Sequence, residues 1–159
     1  MANSDQTVST PRQDQPSSEE VFVRLLTRLR DKLPFQAGSL FLVEQDTQSL
    51  RQVANVGEGI DFISQVRFSM GPGLSAWVAQ KGKRIYLPDI HRGSRHGLHP
   101  IRSYLSMPLE INNRVIGVLN LGHIVPNAFE EPVLREVENL LREITRKLYN
   151  RMYLIYIQP

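Results

Sequence analysis

Two apolar runs separated by a pair of asparagines constrain the fold of this chain more than any other feature. The runs are Ser103–Ile111 and Arg114–Gly122, with Asn112 and Asn113 between them. Asparagine tolerates the positive φ angles that a tight two-residue turn requires. The segment therefore predicts an antiparallel β-hairpin, around which the remaining elements have to be arranged.

Shorter patterns predict the other strands and the helices. Four further strands are expected, at Ser39–Glu44, Leu50–Val56, Gln65–Phe68 and Arg84–Leu87. Three helices are expected, namely one from Ser17 to Pro34, a short one between Gly73 and Gly82, and a long one from about Glu130 to the end. Antiparallel strands with helices at both ends predict an α+β fold.

The composition is that of one globular domain in a reducing compartment. Residues 1–16 are polar and rich in Ser, Gln and Pro, which predicts a disordered tail before a single domain at 17–159. The chain has no cysteine, no signal peptide and no apolar run near ~18 residues, so we expect a cytoplasmic protein without a membrane partner. A net charge of +3 and the lack of a helix-turn-helix pattern indicate no nucleic-acid partner.

Three segments in a fixed order resemble the GAF family of sensory domains. They are Gly71–Ala79 with Tyr86–Ile90, Ser106–Leu109, and Arg114–Leu121 with Phe129–Glu131 after it. The resemblance implies a GAF-like central antiparallel β-sheet, with the N- and C-terminal helices on one face and a ligand pocket on the other. Within the hairpin, Pro108 indicates a strand edge or bulge, and Gly117 indicates a close approach of backbone or helix.

Departures from the family's activities limit the expected function. Members that attach a bilin or reduce free methionine sulfoxide use cysteines, which this chain lacks. Members that bind cyclic nucleotides have a lysine in a motif before the last helix. Asn127–Phe129 lacks this lysine, which weakens the resemblance to those members. Ser75 has neither a nucleophile-elbow pattern nor a placed base, and Glu130 and Glu131 suit a helix N-terminus. We therefore expect no catalytic residues and no enzymatic activity.

The implied ligand pocket supplies a set of candidate ligand-binding residues. They are Phe62, Phe68, Met70, Trp77, Asp89, His91, Arg92, Arg95, Tyr104 and Ser106. The arginines in the loop from Asp89 to Arg102 would suit an anionic ligand, because guanidinium groups pair with planar anions. The alternative is a solvated loop whose charges only keep it soluble.

Several of these candidates have two interpretations each. Trp77 lies on the apolar stripe of the short helix, so it either packs in the core or forms a wall of the pocket. Tyr104 and Ser106 share one face of their strand, which predicts either a pocket floor or a solvent-exposed face. The loop also contains three histidines, namely His91, His96 and His99. Their spacing fits no familiar metal-binding pattern, so we expect no metal site, and the cofactor stays unidentified.

The last helix carries more apolar surface than one small domain covers. Apolar residues recur every three or four positions, at Val133, Val137, Leu140, Ile144, Leu148, Met152 and Ile155. A helix of ~27 residues would be ~40 Å long. Its uncovered apolar part should pack against the same helix of a second copy. The alternative is a helix folded entirely on its own sheet.

These patterns together predict a GAF-type sensory or regulatory domain. It binds a small ligand, anionic if the loop arginines line the pocket, and signals to a downstream protein through terminal helices that form a homodimer. One alternative is a non-catalytic dimerisation or protein-interaction module with an empty pocket. Another is a haem or metal sensor that uses the loop histidines.

Overall fold

The predicted hairpin forms strands β4 (Ser103–Ile111) and β5 (Arg114–His123) in the structure, a computed structural model that describes residues 18–57, 73–91 and 101–157. Asn112 and Asn113 have φ angles of 49° and 62°. Both turn residues therefore adopt the left-handed conformation that a primed two-residue turn requires. The hairpin prediction is confirmed.

Three further strands and three helices complete the described fold. The strands are β1 (Ala37–Glu44), β2 (Ser49–Val56) and β3 (Ile85–Leu87), and the helices are α1 (Ser18–Lys32), α2 (Leu74–Lys81) and α3 (Val133–Ile157). The sheet order is β2-β1-β5-β4-β3, and all neighbouring strands are antiparallel. This architecture confirms the α+β fold class.

The two faces of the sheet carry different elements, because successive side chains of a strand point to opposite faces. Leu40 of β1 and Leu119 and Leu121 of β5 belong to the main hydrophobic core, together with residues of α1 and α3. Asn120, which lies between the two leucines of β5, hydrogen-bonds to Ser75 of α2. The terminal helices therefore pack on one face, and α2 packs on the other.

A close approach between β1 and β5 explains the predicted role of Gly117. This residue pairs with Leu42 in the β1–β5 ladder, and a Cβ atom added to it would lie 2.5 Å from the backbone oxygen of Phe41. No side chain fits in that space without displacing the β1 backbone. The inference of a close backbone approach at Gly117 is confirmed.

Helix α3 begins three residues after the predicted position at Glu130. Pro132 immediately precedes the helix, where its fixed φ and missing N–H are tolerated. The buried residues of α3 that join the main core are Leu134, Val137, Leu141, Ile144 and Leu148. The helix then continues to Ile157, about 13 Å beyond the last of these residues.

Two of the predicted segments lie outside the described residues. They are the disordered tail at 1–16 and the strand at Gln65–Phe68. Across the three described segments, no helix is long and apolar enough to cross a membrane.

Candidate functional site

Helix α2 covers the sheet near one end, where strands β2 and β3 end and strands β1 and β4 begin. The pairings of Gly38 with Val56 and of Leu87 with Tyr104 place these four strand ends side by side. Helix α2 starts above this end, since Leu74 packs with Ile101 and Tyr104 in a second, smaller core. The segments that connect β2 to α2 and β3 to β4 both leave the sheet here.

A group of five buried polar side chains lies beneath the start of α2, and we call it the Asn120 cluster. Its members are each 2% exposed or less: Ser39, Ser75, Tyr104, Ser106 and Asn120. Tyr104 OH and Ser106 Oγ donate hydrogen bonds to Asn120 Oδ1 at 2.9 and 2.7 Å. Ser75 Oγ lies 3.1 Å from Oδ1 and 2.9 Å from Nδ2, and Nδ2 also donates to Ser39 Oγ at 3.4 Å.

Such a cluster is unusual in a small protein, because a buried polar group lowers the stability of the folded state unless it is hydrogen-bonded. Each member here has at least one partner within the cluster. Burial raises the pKa of Tyr104, and the hydrogen bonds from Ser75 and Ser106 oppose that effect. Tyr104 is therefore a neutral hydroxyl at physiological pH. Three hydroxyl groups thus converge on one carbonyl oxygen, which is the arrangement that recognises an oxygen atom with partial negative charge.

An ion pair between Asp89 and Arg102 joins the two ends of the segment that connects β3 to β4. Arg102 Nε and Nη2 donate to the two carboxylate oxygens of Asp89 at 2.7 and 2.9 Å. The backbone N–H of Ile90 donates to the carbonyl of Arg102 at 2.5 Å, and His91 Nε2 lies 3.3 Å from Asp89 Oδ2. Asp89, which was predicted to bind ligand, therefore holds Arg102 in a bidentate pair.

His123 adjoins this ion pair at the end of β5. Its carbonyl accepts a hydrogen bond from the backbone N–H of Arg102 at 2.8 Å, and its Nδ1 atom accepts one from the N–H of Val125 at 2.9 Å. Burial lowers the pKa of His123. An Nδ1 atom that accepts a hydrogen bond carries no proton, so the geometry and the lowered pKa both favour the neutral imidazole.

The structure brings together only some of the predicted ligand-binding residues. Tyr104 and Ser106 are buried against α2, so the solvent-exposed interpretation of this pair is wrong. The core-packing interpretation of Trp77 is also wrong, because this residue is 42% exposed. The remaining candidates lie outside the described residues, namely Phe62, Phe68, Met70, Arg92 and Arg95.

Helix α2 exposes Trp77 because a different stripe faces the sheet. Its buried residues are Ser75, Ala76 and Val78. Their small side chains let α2 lie close to β4 and β5, and a tryptophan would not fit in that space. The predicted C-cap at Gly82 is confirmed, with φ at 62° and a hydrogen bond from its N–H to the carbonyl of Val78 at 2.9 Å.

Three members of the Asn120 cluster were not predicted as site residues from the sequence. Ser39 was only the start of a predicted strand, and Ser75 was considered only as a nucleophile. Asn120 had a signal that could have revealed it, since it is the only polar side chain in Val115–Leu121. An amide at an inward position of a β-strand has to find a hydrogen-bonding partner.

The three loop histidines, which the alternative of a haem or metal sensor would use, cannot be brought together from the described side chains. His91 lies beside Asp89 with an 82% exposed side chain, and His96 and His99 lie outside the described residues. In segments 18–57, 73–91 and 101–157, no three His, Asp or Glu side chains are placed to share a metal ion.

Solved structures of similar fold include both GAF domains of larger proteins and an enzyme. The GAF domain of a phosphoenolpyruvate-protein phosphotransferase from Coxiella burnetii has a TM-score of 0.70 at 19% identity, covering 91% of this chain and 89% of that chain. The GAF domain of the Acinetobacter phosphoenolpyruvate-protein phosphotransferase has a TM-score of 0.68 at 19% identity, with coverages of 87% and 86%. A type II free methionine-R-sulfoxide reductase from Thermoplasma acidophilum has a TM-score of 0.66 at 17% identity, with coverages of 80% and 89%.

The reductase corrects one prediction made from the sequence. We expected no enzymatic activity, but an enzyme from Thermoplasma acidophilum has this fold over 80% of the chain. The fold therefore accommodates catalysis, and the prediction is wrong. The chain has no cysteine, so a cysteine nucleophile is excluded. The lack of cysteine does not exclude other kinds of enzymatic activity.

A family model confirms the resemblance that the three sequence segments indicated. No curated protein sequence is significantly similar to the chain. The model of the GAF domain nevertheless matches residues 15–147, which include α1, the whole sheet and most of α3. The chain belongs to the GAF domain family.

Proposed function

We propose that this chain is a sensory or regulatory domain that binds a small ligand on the α2 face of its sheet. The ligand occupies the space next to the Asn120 cluster, and its binding is communicated to the terminal helices on the opposite face. Membership of the GAF family supports the sensory role. The observation that carries the proposal is the convergence of three hydroxyl groups on the Oδ1 atom of Asn120.

The chemistry of the cluster favours a ligand with an oxygen acceptor. If the Asn120 side chain rotated away, Ser75, Tyr104 and Ser106 would present their hydroxyl groups to an incoming oxygen atom. A carboxylate or another small oxyanion meets this requirement best, since charge-assisted hydrogen bonds are stronger than neutral ones. Arg102 is already paired with Asp89. We propose that Arg92 or Arg95, the loop arginines predicted from the sequence, supplies the guanidinium that neutralises the ligand.

The sheet offers a short route from the site to the terminal helices. Asn120 faces the cluster, while its neighbours Leu119 and Leu121 belong to the core that includes α1 and α3. In β4, Ser106 alternates in the same way with Leu105 and Met107. A displacement of either strand at the site therefore moves side chains that contact the terminal helices.

We further propose that the chain is a homodimer that transmits this change to a downstream signalling protein in the cytoplasm. Helix α3 extends about 13 Å past Leu148, the last of its described residues in the core. Its exposed residue Tyr149 adds apolar surface on the side away from Lys147. Pairing of two α3 helices would cover such surface with one isologous contact.

Thermal denaturation in the presence of small anions tests the ligand site. Formate, acetate, nitrate and phosphate are suitable probes, and one of them should raise the midpoint of unfolding. A ligand at a hundred times its Kd stabilises a protein by about 2.7 kcal/mol. Ser106→Ala and Tyr104→Phe should each reduce the shift, because each removes one of the converging hydroxyl groups.

Ser103→Ala is the matched control for these variants. Ser103 is a fully buried serine on the same strand, but its Oγ donates to the carbonyl of Val125 outside the cluster. The anion shift should persist in this variant. Replacing Arg92 and Arg95 with Ala tests the arginines separately. The site assignment fails if no anion shifts the midpoint, or if the shift is the same in all variants.

A second candidate function is a dimerisation or interaction module with a closed pocket. The observation in its favour is that the polar groups of the Asn120 cluster already bond to one another. In that case the cluster would fix α2 onto the sheet, and no small anion would shift the midpoint of unfolding. Self-association through α3 would still be observed.

A further inference from the structure

The two terminal helices form an apolar groove on the side of the molecule away from the Asn120 cluster, and we call it the α1–α3 groove. Its apolar floor comes from Val21 and Leu25 of α1 and from Ile144 and Leu148 of α3. The cavity has a volume of about 300 Å³. Val21 and Leu25 are half-buried, so the groove presents apolar side chains that the helices leave partly uncovered.

The rim of this groove is positively charged. Arg24 and Arg28 lie one helical turn apart on the α1 side, and Lys147 lies on the α3 side. Both arginines are exposed, and among the described residues neither has an ion pair or a hydrogen bond. Lys147 is paired with Glu143 of its own helix. Two guanidinium groups beside an apolar floor therefore remain unpaired.

The charge around Glu143 extends this positive surface. The Lys147 ammonium, which donates a hydrogen bond to Glu143, holds the pKa of that carboxyl below its usual value, and Lys32 and Arg146 act in the same direction. Lys32 belongs to α1 and Arg146 to α3. Both helices thus place cations around Glu143 on the α1–α3 side of the molecule.

This charge pattern disfavours a second copy of the chain as the occupant of the groove. In a two-fold contact centred on this groove, the residues nearest the axis meet their own copies. Arg24, Arg28 and Lys147 would then face the same cations of the other protomer, and juxtaposed like charges oppose association. The homodimer contact proposed for α3 uses the turns beyond Leu148 and leaves this groove accessible.

We infer that the α1–α3 groove docks an acidic amphipathic helix from a partner protein. Leucine-type side chains at helical spacing would cover Val21, Leu25, Ile144 and Leu148, as in other complexes that seat a helix in a groove. Glu or Asp side chains on either side of that stripe would pair with Arg24 and Arg28. The inference concerns the partner of the terminal helices and does not depend on the existence of the ligand site.

Fluorescence anisotropy with two designed peptides tests this inference. Both peptides have three heptads, about 21 residues, with Leu at the a and d positions, and carry either Glu or Lys at e and g. The full chain should bind the Glu peptide, with affinity that falls as salt rises, and should bind the Lys peptide at least about tenfold more weakly. The double reversal Arg24→Glu with Arg28→Glu should exchange this preference.

The matched control reverses two exposed lysines outside the groove. Lys81→Glu with Lys83→Glu changes the net charge equally, and should leave the preference for the Glu peptide intact. Circular dichroism establishes that all variants are folded. Equal binding of the two peptides, or an unchanged preference after the arginine reversal, would overturn the inference.

Two further measurements identify the competing occupants. If the arginine reversal abolishes binding to phosphatidylserine vesicles while the native chain binds neither peptide, the groove is a membrane-binding surface. If the same reversal changes the oligomeric state in sedimentation equilibrium, the groove is a contact between copies. Either result contradicts docking of an acidic helix.

Discussion

The side-chain amide of Asn120 connects helix α2 to strands β1 and β4 at the candidate site. Its Oδ1 and Nδ2 atoms bond to hydroxyl groups from α2, β1 and β4. Replacing it with alanine leaves buried hydroxyl donors without their acceptor, which should lower the free energy of unfolding by about 2 to 4 kcal/mol. Urea denaturation measures the change. Asn55→Ala, at an exposed position of β2, is the control and should have an effect below about 0.5 kcal/mol.

His123 gives the domain a predictable response to pH. Because burial lowers its pKa in the folded state, the unfolded chain binds the proton more readily. Its contribution to stability is therefore complete above the ordinary histidine pKa of about 6.5 and is lost as the pH falls through the lower, folded-state value.

His123→Asn provides the test of that response. Asparagine can still accept the hydrogen bond from the N–H of Val125 but does not titrate. Urea midpoints measured from pH 7.5 down to about pH 5 should fall less steeply in the variant than in the native chain. Identical pH profiles would show that His123 does not contribute to the acid sensitivity.

The contact between β1 and β5 depends on the absence of a side chain at Gly117. A Gly→Ala change at an unconstrained position usually stabilises a protein slightly, because it restricts the unfolded chain. At Gly117 the added Cβ would lie 2.5 Å from the Phe41 oxygen, so Gly117→Ala should instead destabilise the domain by about 1 to 3 kcal/mol. Thermal unfolding measures the sign directly, and a stabilised variant would contradict the strand packing described here.

The elements that could be predicted from the sequence are those with a local signal. The β4–β5 hairpin has its asparagine turn, α2 has Gly82 at its end, and α3 has a long apolar periodicity. The orientation of α2 had no such signal. Its eight residues contain apolar side chains on more than one stripe, and the choice between Trp77 and the smaller Ser75, Ala76 and Val78 depends on the distance to the sheet. That distance is set by tertiary packing.

The candidate site could be predicted only in part for a related reason. Tyr104 and Ser106 followed from the alternation of one strand. The pairing of both residues with Asn120 required the register of β4 against β5, and the contact with Ser75 required the position of α2. These contacts join residues distant in the sequence, so only the folded chain assembles them. The arginines proposed for the ligand remain a prediction of the sequence.

Native mass spectrometry of the freshly purified chain, compared with its mass after denaturation, tests the sensory assignment most directly. We expect a dimer that carries additional small-molecule mass, and we expect this mass to disappear on denaturation and to be reduced in Ser106→Ala. A dimer without additional mass, unaffected by the anions that were tested, would favour the interaction module. A monomer without bound mass would contradict both the ligand site and the role of α3.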